Sequence, residues 1–535
     1  MNKLKAARIA VQISAFIFIT VSLFILSFPI RFISAKEFFL TSPSLLLYAQ
    51  IAALYITKGM IVLALFVILA LLFGRVFCGW LCPFGAVMDF FAFLVKPFRK
   101  WGERPPAKWL LSKYVLLAFF GVLAVLGFQF VWFFEPVTVF SRFFHLSFFP
   151  FINAVVDKGF QYAIMNYNAG ENLYYAVRDN LFSARQISFN YSAAFLLLFI
   201  IPVFMVLYKR RFWCRYICPL GASLGILSVK PVFPLKLAKC KIRCGRCENM
   251  CRANAIRRDG TYIPSECVMC MDCTALKCRQ SEDNNSGLPR QDFVSPRNDN
   301  QETSLRGNKV PEAIQSSCRI STPPSPLSAL PLKGITRKQF LFWGSGVLAA
   351  IYTMGRKAYA SSRGSTASVI RPPGAMPERE FKQACVRCGN CMKVCVTNGL
   401  QPSMTGSGID GIWTPEMDNI TGYCEYNCNA CGQVCPTQAI KALPMEKKTE
   451  FRMGLAEVRR DLCIPWSQGV SCIVCEEHCP IPDKAIKLES KVINGSTVDV
   501  PVVDVELCIG CGICENKCPV EGRKRAITVK PLINN

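Results

Sequence analysis

Four runs of apolar residues, each at least 17 residues long, lie between residue 9 and residue 208 and are separated by polar segments. The first follows a basic start carrying Lys3, Lys5 and Arg8 and runs for about 20 residues to Pro29, long enough to span a bilayer and too long for the core of a signal peptide. The others cover about 49–73, 111–134 and 191–208, and each reads as a membrane-spanning helix. Polar sequence then dominates, broken by a short apolar stretch within 336–352.

Loop charges orient the four runs. Arg75, Lys96, Arg99, Lys100, Arg104, Lys108 and Lys113 crowd the segment between the second and third, and Lys209, Arg210, Arg211 and Arg215 follow the fourth. The first loop has only Arg31 and Lys36, and the 135–190 segment, read as a loop, spreads out Arg142, Lys158, Arg178 and Arg185. Positive charge stays on the cytoplasmic side, which puts the N-terminus and both dense segments inside.

The two dense segments share one sentence: R-V-F-C-G-W-L-C-P-F-G-A at 75–86 and R-F-W-C-R-Y-I-C-P-L-G-A at 211–222. Each follows the cytoplasmic end of an even-numbered run, so the bundle reads as two parallel two-helix repeats. A pseudo-twofold axis along the membrane normal would bring Cys78, Cys82, Cys214 and Cys218 together. They are candidate redox or metal thiols: a thiolate metal or cluster site shared by the repeats, a pair of redox-active dithiols, or small residues packing the helix ends.

Cysteine spacing changes the picture beyond residue 230. Of 29 cysteines, 16 fall into four quartets: Cys385, Cys388, Cys391, Cys395; Cys424, Cys428, Cys431, Cys435; Cys463, Cys472, Cys475, Cys479; and Cys508, Cys511, Cys514, Cys518. Two more quartets precede them, Cys240, Cys244, Cys247, Cys251 and Cys267, Cys270, Cys273, Cys278, and Cys318 stands alone. A C-x2-C-x2-C loop wraps three thiolates around one [4Fe-4S] cubane while the fourth cysteine reaches a neighbouring one. Zinc ribbons prefer two separated C-x2-C knuckles, and a disulfide framework gives no reason for triplets. About six [4Fe-4S] clusters are expected, with iron held through these same 24 cysteines; the pairing within the last four quartets stays open.

Composition adds bounds. A hydrophobic content of 52% and a mean hydropathy of +0.29 agree with a membrane part. The formal charge of +26 shrinks once each cluster with its four thiolates contributes about −2, and its placement speaks for membrane topology rather than nucleic acid. Only His145 and His478 occur and no C-x-x-C-H motif is present, so no haem is expected; His478, inside a cluster loop, reads as a surface residue. Residues 281–333 are rich in Ser, Asn, Pro, Asp and Arg and read as a disordered linker. The stretch T-R-K-Q-F-L-F-W-G-S-G-V-L-A-A-I-Y at 336–352 has the shape of a twin-arginine signal with Lys338 in place of the second arginine, the alternative being an anchor helix.

On these motifs residues 1–278 resemble the NapH family of membrane ferredoxin-type proteins of periplasmic nitrate reduction. Residues 334–535 resemble the NapG and MauM proteins, through F-R-M-G-L-A-E-V at 451–458, C-I-P-W-S-Q-G-V-S-C-I-V-C-E-E-H-C-P-I at 463–481 and C-V-R-C-G-N-C-M-K-V-C at 385–395. The fold expected is an integral membrane α-helical bundle of four spans plus a fifth signal or anchor helix, with two α+β ferredoxin-like iron–sulfur domains. Its parts are 1–230 membrane domain, 231–280 cytoplasmic two-cluster ferredoxin domain, 281–333 linker, 334–360 signal or anchor helix, and 361–535 periplasmic four-cluster domain.

The resemblance implies an inner-membrane electron-transfer protein whose partners are the lipid bilayer, the quinone pool and a periplasmic redox enzyme or cytochrome, with a quinone as candidate cofactor. Electrons would pass from quinol, or from a cytoplasmic donor, to a periplasmic reductase of the nitrate-reductase kind. The alternative is a maturation or reactivation factor for a periplasmic metalloenzyme such as nitrous-oxide reductase or an amine dehydrogenase. Glu135, in F-F-E-P, is a candidate acceptor of a quinol proton, with helix capping as the competing role.

Overall fold

The computed structural model describes residues 3–24, 60–95, 107–167, 174, 187–235, 250–256, 262–273, 369–404, 406–522 and 525–532. Cys240, Cys244, Cys247, Cys278 and Cys318, the 281–333 linker and the 336–352 stretch lie outside these residues.

The first helix, α1 (Lys3–Phe24), has no Gly or Pro to interrupt it. Its polar residues face inward: Arg8, Gln12 and Ser22 are buried, whereas Leu4, Ile13, Ile17, Phe18 and Val21 are exposed. That is the reverse of a water-soluble helix. Next come α2 (Met60–Phe73), the five-residue α3 (Val76–Trp80) and α4 (Pro83–Val95). Helix α5 (Ser112–Val125) leads through a 3-10 turn at Val131–Phe133 to α6 (Pro136–Phe143). A π-helical turn at Phe144–Phe148 joins α6 to α7 (Phe149–Tyr167). Then α8 (Ser192–Tyr208), α9 (Phe212–Tyr216) and α10 (Pro219–Leu227) restate α2, α3 and α4: a long apolar helix, a five-residue helix, and a helix with proline as its first residue. Proline there gives up an amide that has no helical partner in any case.

Two expectations need correction. The segment read as a loop from 135 is helical from Pro136 to Tyr167, because Glu135 caps it, the residues from Pro136 to Ile152 are mostly apolar, and Arg142 and His145 point into the protein at 2% and 0% exposure. The third apolar run does not stay helical to 134: α5 stops at Val125, and Gly127 takes a left-handed φ of +85°. Among the described residues, two helices are long and apolar enough to cross a membrane, Leu4–Leu23 and Pro136–Asn166, while those at Ala64–Phe73, Trp109–Val125 and Ser192–Tyr208 are shorter.

The cysteine-rich parts pack on opposite ends of the helices. At one end Lys5 pairs with Asp272 at 3.0 Å, Lys113 with Glu266 at 2.6 Å and Arg75 with Glu266 at 3.2 Å, and Trp80 donates to the Met269 carbonyl at 2.9 Å. At the other, Lys393 donates to the Leu23 carbonyl, Ser141 to that of Cys388 at 3.2 Å, and Asn398 to that of Ser188 at 2.8 Å. Lys5 and Leu23 sit on one helix, 18 residues or about 27 Å apart at 1.5 Å per residue.

The larger cysteine-rich part, 369–532, has two halves. In the first, β1 (Leu400–Pro402) pairs antiparallel with β2 (Pro415–Met417). In the second, β3 (Gly454–Val458) pairs with β6 (Ile527–Pro531), and β4 (Ile486–Ile493) with β5 (Ser496–Val503). Asn494 and Gly495, with φ of 52° and 84°, make the two-residue turn of that hairpin. Buried side chains from 117 to 149 and from 370 to 529 form one continuous core.

Candidate iron–sulfur sites

Five cavities are each lined by four cysteines, three from one quartet and one from its neighbour. Cys385, Cys388 and Cys391 share a cavity with Cys435, and Cys424, Cys428 and Cys431 with Cys395. Cys508, Cys511 and Cys514 meet Cys479, whereas Cys463, Cys472 and Cys475 meet Cys518. The fifth cavity, at the other end of the helices, joins Cys267, Cys270 and Cys273 to Cys251. Pairing is thus sequential, first quartet with second and third with fourth, a point that spacing alone leaves open.

Local structure sets this crossing. A short helix follows Cys388 and another follows Cys511, each entered through a glycine with positive φ, Gly389 and Gly512. The chain then turns away at the fourth cysteine. Backbone amides aim at sulfur: Ala255 N lies 3.1 Å from Cys251 Sγ, Met269 N 3.4 Å from Cys267 Sγ, and Ile440 N 3.4 Å from Cys435 Sγ. Such donors favour thiolate over thiol.

Burial acts in the opposite direction and dominates. It pushes the Cys511 and Cys270 thiols up to about 11 and those of Cys424 and Cys475 to about 12. Thiols of this kind need a cation to become thiolates. No three His, Cys, Asp or Glu side chains among the described residues converge closely enough for a single metal ion. Four cysteines converge on each cavity, which is the ligand set a cubane requires.

The quartets form a line. Ser141 and His145 of α6 and the π-helical turn reach the Cys388 carbonyl, at 3.2 and 3.4 Å, which puts the Cys385 quartet against the helices. Cys391 and Cys431 interact electrostatically, as do Cys424 and Cys511, and Cys514 and Cys475. The Cys463 quartet stands at the far end, with His478 exposed beside it, where the sequence puts it.

At the opposite end, burial raises Glu266 but Lys113 and Arg75 outweigh it, leaving the carboxylate below its ordinary range; Asp272 is lowered similarly by Arg252 and Lys5. Neither Glu266 nor Lys113 is evident in the sequence as a partner of the other, since 153 residues separate them.

Cys78, Cys82, Cys214 and Cys218 are all buried and interact electrostatically with one another. The repeats exchange arms. Arg211 donates to the Cys78 carbonyl at 2.9 Å, Arg75 to the Cys214 carbonyl at 3.4 Å, and the amides of Gly85 and Gly221 face Cys82 Sγ and Cys218 Sγ at 3.5 and 3.2 Å. Glu135 is fully buried, and its Oε2 caps α6 by accepting from Thr138 N at 2.8 Å and Thr138 Oγ1 at 3.2 Å.

The fold and these sites define a protein with 4Fe-4S ferredoxin domains. Family descriptions agree: two matches to a 4Fe-4S binding domain cover residues 56–101 and 191–237, NosR matches 238–284, and a second 4Fe-4S binding domain matches 501–523. The chain is 36% identical over 193 residues to the methylamine utilization ferredoxin-type protein MauM of Methylophilus methylotrophus, covering 34% of this chain and 80% of that protein. It is 38% identical over 169 residues to the ferredoxin-type protein NapG of Escherichia coli, covering 30% and 71%. An uncharacterized protein of Methanocaldococcus jannaschii is 28% identical over 279 residues, 51% of this chain and 92% of its own. The chain belongs to the family of MauM and NapG ferredoxin-type proteins. No solved structure matches it.

Proposed function

We propose that this chain carries electrons across the bacterial inner membrane to a redox enzyme in the periplasm. In this reading the six quartets hold six [4Fe-4S] clusters, each of which supplies one-electron storage and release. The N-terminus and the 231–280 domain face the cytoplasm, and the 361–535 domain faces the periplasm. The donor is membrane quinol, or a cytoplasmic reductant, and the acceptor is an enzyme of the nitrate-reductase or amine-dehydrogenase kind.

One observation carries the reading: cysteine quartets occupy both ends of one helix bundle, about 27 Å apart along α1, close to the thickness of a bilayer's hydrocarbon core. The exposed apolar faces of α1, α7 and α8, among them Ile17, Phe18, Phe151, Val155, Leu197 and Phe204, suit lipid rather than water. The residues between the ends hold the path in place. Lys393 and Asn398 fasten the outer part to the helices, Glu266 fastens the inner part through Lys113 and Arg75, and the line from the Cys385 quartet to the Cys463 quartet leads away from the bundle.

A second reading, a maturation or reactivation factor drawing on cytoplasmic reducing power, is favoured by the Cys267 quartet, which lies on the inner end where quinol oxidation at the outer face has no use for it. The test uses the full chain in sealed vesicles of known orientation. Reduction of the outer clusters by a quinol analogue alone supports the respiratory reading; reduction only from a cytoplasmic-side donor supports the second. No reduction by either would overturn both.

A further inference from the structure

Each family match over the helix bundle, 56–101 and 191–237, contains only two cysteines in its C-x3-C-P motif, too few for a cluster. The fold brings the two pairs together. We propose that Cys78, Cys82, Cys214 and Cys218 jointly hold one further iron–sulfur cluster inside the bundle, shared between the repeats and standing between the inner and outer quartets. The proposal rests on the electron-transfer reading and supplies the step that reading lacks, a carrier in the middle.

Charge supports it. Arg8, Arg75, Lys113 and Arg211 are each at most 1% exposed, and the carboxylates they meet are Asp89 and Glu266. Cations outnumber carboxylates in this place that excludes water even with Glu135, a third buried carboxylate, which acts on Cys82, and Arg252, 2.9 Å from Asp89, adds to the excess. Lys5 and Arg252 also flank Asp272 beside the inner quartet. A cluster with four thiolates carries about −2, which offsets excess positive charge at the four thiols. Arg211 donates to the Cys78 carbonyl at 2.9 Å and Arg75 to the Cys214 carbonyl at 3.4 Å, so the cations lie beside the four thiols. A dithiol pair cycling through disulfides leaves these cations without counter-charge whenever it is oxidised.

Contacts lead away from the four thiols in both directions. On the inner side Gly79, next to Cys78, lies so close to Val268 that a Cβ would fall 1.9 Å from its carbonyl oxygen, and Val268 lines the Cys267 cavity. On the outer side Trp213, next to Cys214, stacks on Phe134 at 5.8 Å; Phe134 meets Phe133 at 5.1 Å, and Phe133 stacks on Trp413 at 5.4 Å. Trp413 meets Trp132, over which the Arg387 guanidinium lies, and Arg387 donates to the Cys385 carbonyl at 2.8 Å. The step is one electron: the reduced inner centre loses it, the four-thiol centre gains it and passes it on, and the oxidised outer centre at Cys385 is reduced. No bond forms or breaks and no proton is required.

The test is iron content with Mössbauer and EPR spectra of the full chain, purified anaerobically in nanodiscs, as wild type, Cys82→Ser, Cys218→Ser and the double variant. Each single variant should lose the iron of one cluster, about four atoms for a cubane, and the double variant no more than either single one, because the site is shared. Unchanged iron, or losses that add, would overturn the proposal. If the serine variants do not assemble, Arg75→Lys and Arg211→Lys keep all four thiols and should shift the reduction potential of one and the same centre; no shift in any centre is equally fatal. Should the variants lose one cluster while wild-type outer clusters accept electrons from neither quinol nor an inner donor, the site stands and the electron-transfer reading fails.

Discussion

The backbone amide of Cys424 donates to the carbonyl of Cys511 at 2.8 Å. This bond joins the two halves of the outer domain at the point where their cysteine cavities adjoin. Asn419 donates to Glu515 at 2.9 Å alongside it. The halves approach so closely that Gly512, at φ +81°, would bring a Cβ within 2.1 Å of the Asn419 side-chain oxygen.

Gly512→Ala should therefore strain the seam between the halves. A left-handed alanine alone costs about 1–2 kcal/mol, and Asn419 must leave its place against Glu515 to make room. The expected outcome is a lower unfolding midpoint and slowed reduction of the Cys463 cluster from the bundle side, read by freeze-quench EPR. Normal stability with normal transfer would show that this junction is not the route.

The crossing of fourth cysteines predicts which cluster each substitution damages. Cys435→Ser should alter the spectrum of the cluster at Cys385, Cys388 and Cys391, and Cys395→Ser that of the cluster at Cys424, Cys428 and Cys431. Were each serine to disturb the cluster of its own quartet instead, the pairing would be wrong. The two variants serve as controls for one another.

Much of this site is legible in the chain because cluster ligation is a local rule: three cysteines at C-x2-C-x2-C share one cavity, as Cys508, Cys511 and Cys514 do. The repeat at 75–86 and 211–222 likewise points to the two motifs packing together, as the arginines they exchange show. The helix from Pro136 is another matter. Arg142 and His145 look like solvent-facing residues in a linear reading, yet Arg142 lies 4.9 Å from the Trp132 and Trp413 rings, and His145 lies 3.4 Å from the Cys388 carbonyl. Trp413 and Cys388 come from the outer domain more than 240 residues away, and no local pattern encodes such contacts. The Glu266 anchor is hidden for the same reason. Glu135, read between proton acceptor and cap, has one carboxylate oxygen committed to Thr138.

Glu266→Gln should loosen the inner domain from the bundle. Lys113 at 2.6 Å and Arg75 at 3.2 Å are both at most 1% exposed and would keep their charges without a carboxylate. Removing one partner of a buried ion pair costs about 3–5 kcal/mol. Thermal unfolding of the detergent-solubilised chain should fall accordingly, and protease should reach the 231–280 region sooner than in wild type. Glu266→Asp, which keeps the charge on a shorter arm, should lie between the two; equal stability in all three would remove Glu266 as an anchor.

The buried thiols make cluster loading dependent on pH, with a definite sign. Burial pushes Cys511 up to about 11 and Cys424 and Cys475 to about 12, so the empty folded sites hold protonated thiols near neutrality. Iron binds thiolates, and each ligand formed releases a proton. Loading must weaken as pH falls and strengthen as it rises toward these thiol values. Anaerobic reconstitution of chelator-stripped protein should accordingly incorporate more iron at mildly alkaline than at mildly acid pH, with acid release in weakly buffered solution matching the thiols ligated. Of the two ends of the line, the site of Cys463, Cys472, Cys475 and Cys518 should load before that of Cys385, Cys388, Cys391 and Cys435, because Cys472 and Cys475 are only part-buried whereas all four of the latter are buried. If uptake proved independent of pH, or the Cys385 site filled first, burial would not be what governs these thiols.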